Sequence, residues 1–250
     1  MSTATFRIWR GHGHEGRFED YTAEIDEGMV VLDAVHRIQA QQAPDLACRW
    51  NCKAGKCGSC SAEINGRPKL MCMTRLSDLP LDEPITIEPM KAFPPIRDLV
   101  TDVSWNYRVK RTITPLAIRR PDAPDGTWRM AQRDIDRVQE FRKCIECFLC
   151  QDVCHVLREH QLHHEFIGPR FLTYAAALEM HPLDTADRTE DLHAKHGIGY
   201  CNITKCCTKV CPEHIAITDN AIIPLKERVV DSMYDPFVRI LRFFRKKPET

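Results

Sequence analysis

Cys144-Ile-Glu-Cys147-Phe-Leu-Cys150-Gln-Asp-Val-Cys154 sets four cysteines at spacings of x2, x2 and x3. A second stretch repeats the pattern with one change. Cys201-Asn-Ile-Thr204-Lys-Cys206-Cys207-Thr-Lys-Val-Cys211-Pro212 carries Thr204 where the second cysteine would stand. In paired runs of this kind three cysteines hold one iron–sulfur cluster and the fourth crosses to the neighbouring one. Crossing assigns Cys144, Cys147, Cys150 and Cys211 to one cluster, and four thiolates suit [4Fe–4S]. Cys154, Cys201 and Cys207 are left for the other. Three thiolates suit [3Fe–4S], since Thr204 is a poor substitute for the fourth. The two runs predict a mostly helical domain, with each run at a helix end or between short helices.

Upstream lies a third pattern, Cys52-x4-Cys57-x2-Cys60, with Cys72 after eleven intervening residues. This is plant-type [2Fe–2S] spacing, and its all-cysteine set excludes the His-ligated arrangement. Iron in such clusters prefers soft thiolates. Short spacings let one loop wrap several corners, and a distant cysteine ties the cluster to the core. Gly55 and Gly58 let backbone amides approach the sulfurs without a Cβ in the way. Eleven of the thirteen cysteines are thereby used, and three redox centres in one chain imply electron transfer.

Cys48 and Cys206 remain. Both are expected as small buried hydrophobes. The rival reading makes Cys206 an alternative corner, which would turn the third cluster into [4Fe–4S]. An odd cysteine count argues against an oxidised secreted framework. Zinc prefers separated Cys-x2-Cys knuckles, into which these runs do not divide. His160, His163 and His164 are expected as surface or hydrogen-bonded core groups rather than metal ligands.

Composition sets the outer limits. The 250 residues carry 35 acidic and 35 basic side chains, so no basic excess points to nucleic acid. No apolar run approaches the ~20 residues of a membrane helix. The chain opens on a strand-like segment with neither a secretory nor a transit signature, and a cytoplasm-facing bacterial protein is expected.

The fold class expected is α+β: an N-terminal β-grasp domain over residues 1–95, then a mostly α-helical two-cluster domain over 96–250. Thr5–Arg10 and Phe18–Ile25 read as strands around a Gly/His-rich turn. Val31, Leu32, Val35 and Ile38 recur at helical spacing. Ser61–Ile64, the Asn65-Gly66 turn and Arg67–Met71 make a hairpin, and Ile85–Ile87 is a closing strand. Lys91–Pro95, with its Pro-Pro pair, reads as the linker. Beyond it, Ile135, Val138 and Phe141 mark a helix before Cys144. The tail Lys226–Lys247 is basic and amphipathic. Its readings are a helix packed on its own domain or a surface that docks on a partner or near anionic lipid.

These residues resemble the iron–sulfur subunits of succinate dehydrogenase and fumarate reductase, respiratory complex II. The likeness rests on Cys52-Lys-Ala-Gly-Lys-Cys57-Gly-Ser-Cys60 with Leu70-Met-Cys72. It rests also on Ile96-Arg-Asp-Leu-Val-Thr-Asp102, Phe166-Ile-Gly-Pro169, Ala186-Asp-Arg-Thr189, and Cys201…Cys207-x3-Cys211-Pro212 with its non-cysteine gap. The resemblance implies plant-type and bacterial-type ferredoxin domains in series. A partner flavoprotein would oxidise succinate at FAD, and electrons would pass through [2Fe–2S], [4Fe–4S] and [3Fe–4S]. A quinone held by a membrane-anchor subunit would receive them. The chain itself would carry no catalytic acid, base or nucleophile. It would sit on the cytoplasmic face of the bacterial inner membrane, bound peripherally through anchor subunits.

Two departures bear on the quinone. His155 follows Cys154 where many relatives have Pro and a Trp-rich stretch, and Asn202 follows Cys201 where many have His. They point to menaquinone or an atypical anchor, with Thr204, Lys205 and His155 as candidates for the quinone's vicinity. Three alternatives stay open. They are a fumarate reductase running the reverse direction, an iron–sulfur subunit of another flavoprotein oxidoreductase, and a metal-scaffolded interaction module without redox function.

Overall fold

The computed structural model describes residues 2–236. β1 (Ser2–His12) and β2 (Glu15–Ile25) form an antiparallel hairpin, in register from Ser2 against Ile25 to His12 against Glu15. Ala4, Phe6 and Ile8 alternate inward and are buried, as a strand with one wet face requires. α1 (Val31–Gln41) buries Val31, Leu32, Val35 and Ile38 against the sheet. The Asp33 carboxylate closes its first turn by accepting the Val30 N–H at 3.2 Å.

β3 (Ser61–Ile64) and β4 (Arg67–Leu70) form the expected hairpin. Asn65 and Gly66 both take positive φ at its turn (49° and 69°), as a two-residue Asn-Gly hairpin requires. β5 (Ile85–Glu88) lies between β3 and β1 and runs parallel to β1. The order β2-β1-β5-β3-β4 with one covering helix is a β-grasp.

The sheet continues past residue 95. β6 (Pro95–Arg97) pairs with β1 and then with β7 (Val100–Thr101). Nor is Lys91–Pro95 a loose connection. Ala92 and Phe93 are buried in the helical core, and the Ala92 N–H donates to Asp152 Oδ1 at 2.8 Å. The Pro-Pro pair marked the turn, but the two apolar residues before it decide its fate.

The rest is helical: α2 (Ser104–Thr112), α3 (Gln132–Gln139), α4 (Leu149–Asp152), α5 (His155–Arg158), α6 (Gly168–Glu179), α7 (Thr189–Ala194) and α8 (Cys206–Lys209). A π-helical turn, Ile217–Ile222, leads into α9 (Ile223–Tyr234). Phe148, Phe166, Phe171, Leu172 and Leu225 lie in one buried cluster. α6 opens on Gly168-Pro169. Gly168 has φ 78°, and a Cβ there would stand 2.1 Å from Gln151 Oε1. Arg188 is buried and ties down the segment after α2, donating to the Thr114 and Pro115 carbonyls (2.7 and 2.8 Å) and pairing with Asp184 (2.6 Å). α9 covers the start of the amphipathic tail. The cluster of Arg239, Arg242, Arg245, Lys246 and Lys247 lies outside the described residues.

The two lobes are joined by polar contacts, some buried and some at the surface. Arg158 makes a two-pronged ion pair with Glu63 (Nη2 to Oε2, 3.0 Å), and Lys91 adds a third charge at 3.4 Å. The Glu63 side chain is 0% exposed. Stripped of its cations, such a carboxylate would cost several kcal/mol. Ser61 Oγ donates to the Cys147 carbonyl at 2.8 Å, and Lys56 pairs with Glu213 at 2.8 Å.

Candidate iron–sulfur centres

The two paired runs share one backbone. Glu146 and Phe148 take positive φ (54° and 61°), and so do Ile203 and Lys205 at the corresponding places (62° and 60°). Non-glycine residues seldom visit this region. Each run then enters a single helical turn, α4 or α8. The hydrogen bonds repeat in step. Val153 N–H meets Leu149 O, and Val210 N–H meets Cys206 O. Cys154 N–H meets Gln151 O, and Cys211 N–H meets Thr208 O. Left-handed residues in such short loops are a feature of backbone nests, which favour an electron-rich group.

The cavities follow the crossed pattern. Cys144, Cys147, Cys150 and Cys211 line one, closed by Phe148, Ile215 and Ile217. Cys154, Cys201 and Cys207 line the next, with Thr204 on its wall where the first has Cys147. Burial pushes Cys147 and Cys154 up to about 12 and Cys207 up to about 11. Cys150 is raised further, by burial first and by neighbouring thiols second. A bare thiolate is costly in these places, and iron is the cation that would offset the charge. Thr218 adds a hydroxyl 3.5 Å from Cys207 Sγ.

The first motif is more open. Cys52 Sγ accepts the backbone N–H groups of Ala54 and Lys56 at 3.4 and 3.3 Å. Burial pushes the Cys57 thiol up, but hydrogen bonds from Ser59 and the Cys52 region outweigh it and bring the group down to about 7. Cys60 faces Cys72, and burial raises it to about 12. Amide donors aimed at sulfur stabilise thiolate charge before any iron is considered.

A single tetrahedral metal would need its sulfurs about 3.8 Å apart, given ~2.3 Å bonds. Among the described residues no three His, Cys, Asp or Glu side chains are placed to hold one ion. The thiols of the second and third sets instead line shared cavities, which matches the demand of a cubane-type cluster, where each thiolate takes a different iron; in a [2Fe–2S] cluster the four thiolates bind two to each iron. The donor sets fit the groups expected of them.

Sequence reasoning missed the seam between the first two centres. Gly58, in the loop of the first, has φ 68°, and a Cβ on it would lie 2.5 Å from Cys147 Cα. Only glycine lets these two cysteine loops touch. Its x2 position between Cys57 and Cys60 signalled a tight loop, but nothing local signalled the contact across lobes. The Glu63–Arg158 joint was equally silent. Its one clue was a carboxylate at a strand position otherwise filled by buried residues.

Thr204, Lys205 and His155 are brought together, all three lining the third cavity. Lys205 Nζ pairs with Asp219 at 2.6 Å. His163 is elsewhere, edge-on to Trp105 at 4.8 Å. Cys48 packs against the β-grasp core, and burial raises its thiol to about 12, as a small hydrophobe's would be. Among the described residues no helix is long and apolar enough to cross a membrane.

A β-grasp lobe and a helical lobe, each carrying cysteine loops for inorganic sulfur clusters, define a two-lobed iron–sulfur electron-transfer protein. Comparison with known proteins agrees. Residues 5–107 match the family described as a 2Fe-2S iron-sulfur cluster binding domain, and residues 140–215 match a 4Fe-4S dicluster domain. The fumarate reductase iron-sulfur subunit of Mycobacterium tuberculosis is 34% identical over 202 residues, covering 79% of this chain and 80% of the relative. That of Haemophilus influenzae is 31% identical, covering 89% and 91%. The succinate dehydrogenase iron-sulfur subunit of Paracoccus denitrificans is 28% identical, covering 90% and 88%. A solved chain of the Mycobacterium smegmatis Sdh1 complex in the apo form superposes with a TM-score of 0.89 at 61% identity, covering 94% of this chain and 99% of that one.

The chain belongs to the family of succinate dehydrogenase and fumarate reductase iron–sulfur subunits.

Proposed function

We propose that this chain carries single electrons from the FAD of a partner flavoprotein to a quinone at a membrane-anchor subunit, in the direction of succinate oxidation. Cys52, Cys57, Cys60 and Cys72 hold [2Fe–2S]. Cys144, Cys147, Cys150 and Cys211 hold [4Fe–4S], and Cys154, Cys201 and Cys207 hold [3Fe–4S]. The clusters, when bound, supply the one-electron chemistry. The protein's part is placement. Gly58 lets the first cysteine loop rest against Cys147, and the exchange of Cys154 and Cys211 between runs locks the second and third cavities side by side. Phe148, Ile215 and Ile217 limit water at the middle cavity, which sets the local dielectric and so the redox potential. Thr204, Lys205 and His155 face the quinone's vicinity, and menaquinone is the acceptor expected. The division of labour follows the two lobes, with the boundary expected at residue 95 moved past Thr101, because β6 and β7 complete the first lobe's sheet. The complex sits on the cytoplasmic face of the bacterial inner membrane, with this chain peripheral.

The observation that carries the reading is the order of the three cysteine sets, with the first loop touching the second and the second sharing thiols with the third. It is tested by electron paramagnetic resonance on the purified complex. Expected are an oxidised three-iron signal as isolated, and [2Fe–2S] and [4Fe–4S] signals after reduction by succinate and dithionite. Absence of the oxidised signal overturns the third assignment. Faster fumarate reduction by menaquinol than succinate oxidation by menaquinone overturns the direction.

A further inference from the structure

Cys206 is not the buried hydrophobe expected of it. Its counterpart in the first run, Leu149, is fully buried, whereas Cys206 is half-exposed. It lines the third cavity together with Cys154, Cys201 and Cys207. Its Sγ lies 3.2 Å from the hydroxyl of Thr204, the residue standing in for the absent fourth ligand. Cys206 also lines a wide groove between the lobes, beside Lys209, Arg67 and Met73. It is therefore a thiol with one side on the cavity and one side on solvent.

From this placement we infer that Cys206 is the ligand for a fourth iron, so that the third centre takes up ferrous iron from the groove and interconverts between three-iron and four-iron forms. This rests on the three-iron resting state proposed above. The step balances as follows. [3Fe–4S]+ accepts one electron from dithionite and becomes [3Fe–4S]0. Ferrous iron adds at the open corner to give [4Fe–4S]2+. The Cys206 S–H bond breaks, its proton goes to water, and its sulfur bonds to the added iron. Thr204 sits beside that sulfur and orients it without supplying a thiolate.

The test uses the full chain in its complex, reduced anaerobically with dithionite and given isotopically labelled ferrous iron. It is then gently reoxidised and read by paramagnetic resonance and Mössbauer spectroscopy. Wild type is expected to lose its oxidised three-iron signal and to gain about one labelled iron per chain, the single missing corner. Cys206→Ser and Cys206→Ala are expected to keep the signal and take up none, while Cys48→Ala behaves as wild type. Thr204→Cys in the Cys206→Ser background restores uptake. Unchanged [2Fe–2S] and [4Fe–4S] signals in each variant report intact folding. Equal uptake by wild type and Cys206→Ser, or uptake by neither, overturns this inference alone. No three-iron signal in either protein overturns the three-iron reading and this one with it. A four-iron third centre in isolated wild type, with a three-iron signal in Cys206→Ser, overturns the resting state but keeps Cys206 as ligand.

Discussion

The run 144–154 and the run 201–211 have the same kinks and the same one-turn helices, yet they live in different surroundings. Cys147, Phe148, Leu149 and Cys150 are all buried. In the second run Asn202, Ile203, Thr204 and Lys205 are all exposed. Glu146 is held by Lys110 and Arg170 at 2.6 and 2.7 Å, whereas its counterpart Ile203 faces solvent. The first run is wedged between lobes, touching Gly58 and Ser61 of the β-grasp lobe, as the proposed internal relay requires. The second turns Asn202–Lys205 outward to solvent, as the exit proposed above requires. A repeated backbone has thus been specialised through its neighbours, not through its own geometry.

The largest test of that comparison writes the second run's gap into the first. Cys147→Thr is expected to abolish the reduced [4Fe–4S] signal and leave a second three-iron signal, with iron falling by about one per chain. Persistence of the four-iron signal would show that another side chain supplies the corner and that the resemblance between runs is superficial.

This prediction draws on the part of the molecule that was legible. Ligand spacing is a local property, and so are the β-grasp strands and α1, whose periods are written in neighbouring residues. Gly58 against Cys147, Ser61 on the Cys147 carbonyl, and Glu63 with Arg158 are not local. Each depends on how two lobes meet, and a lone sequence carries no record of such distant pairings. Cys206 fell between the two. Its position was plain, but its half-exposed place on the cavity wall was not.

Next in size is the joint that encloses the first run. Arg158→Met strands Glu63, whose side chain is wholly buried. Losing one partner of a buried pair costs about 3–5 kcal/mol, and the nearby Lys91 brings the expectation to the lower end of that range. Guanidinium unfolding of the holoprotein is the measurement. A loss below about 1 kcal/mol, the scale of an exposed pair, would mean that the lobes do not depend on this contact.

Gly58→Ala sharpens the comparison at the seam. Its Cβ would overlap Cys147 and its φ is strained for any side chain. Overpacking of this kind costs about 1–3 kcal/mol, and the [4Fe–4S] centre should reduce more slowly by stopped flow. Unaltered reduction kinetics would remove Gly58 from the relay.

The smallest effect concerns Glu146. Burial alone would raise its carboxyl, but hydrogen bonding to Lys110 and the charge of Arg170 prevail and hold it below the usual carboxylate range. A lowered group stabilises the fold above its unfolded pKa, and that contribution fades as pH falls through its folded value. Glu146→Gln is therefore expected to cost about 1 kcal/mol near neutrality, after discounting for solvent screening, and nothing in strong acid. An equal deficit at both ends of the pH range would assign the loss to packing instead of charge.

Residues 91–101 leave one practical consequence. Ala92 and Phe93 are sunk in the helical lobe, while Pro95–Thr101 add strands to the other. No peptide bond in that stretch is a natural place for scissors. A protease that trims exposed segments should leave the halves attached, and a gene cut there would yield two fragments, each missing a piece of its own interior.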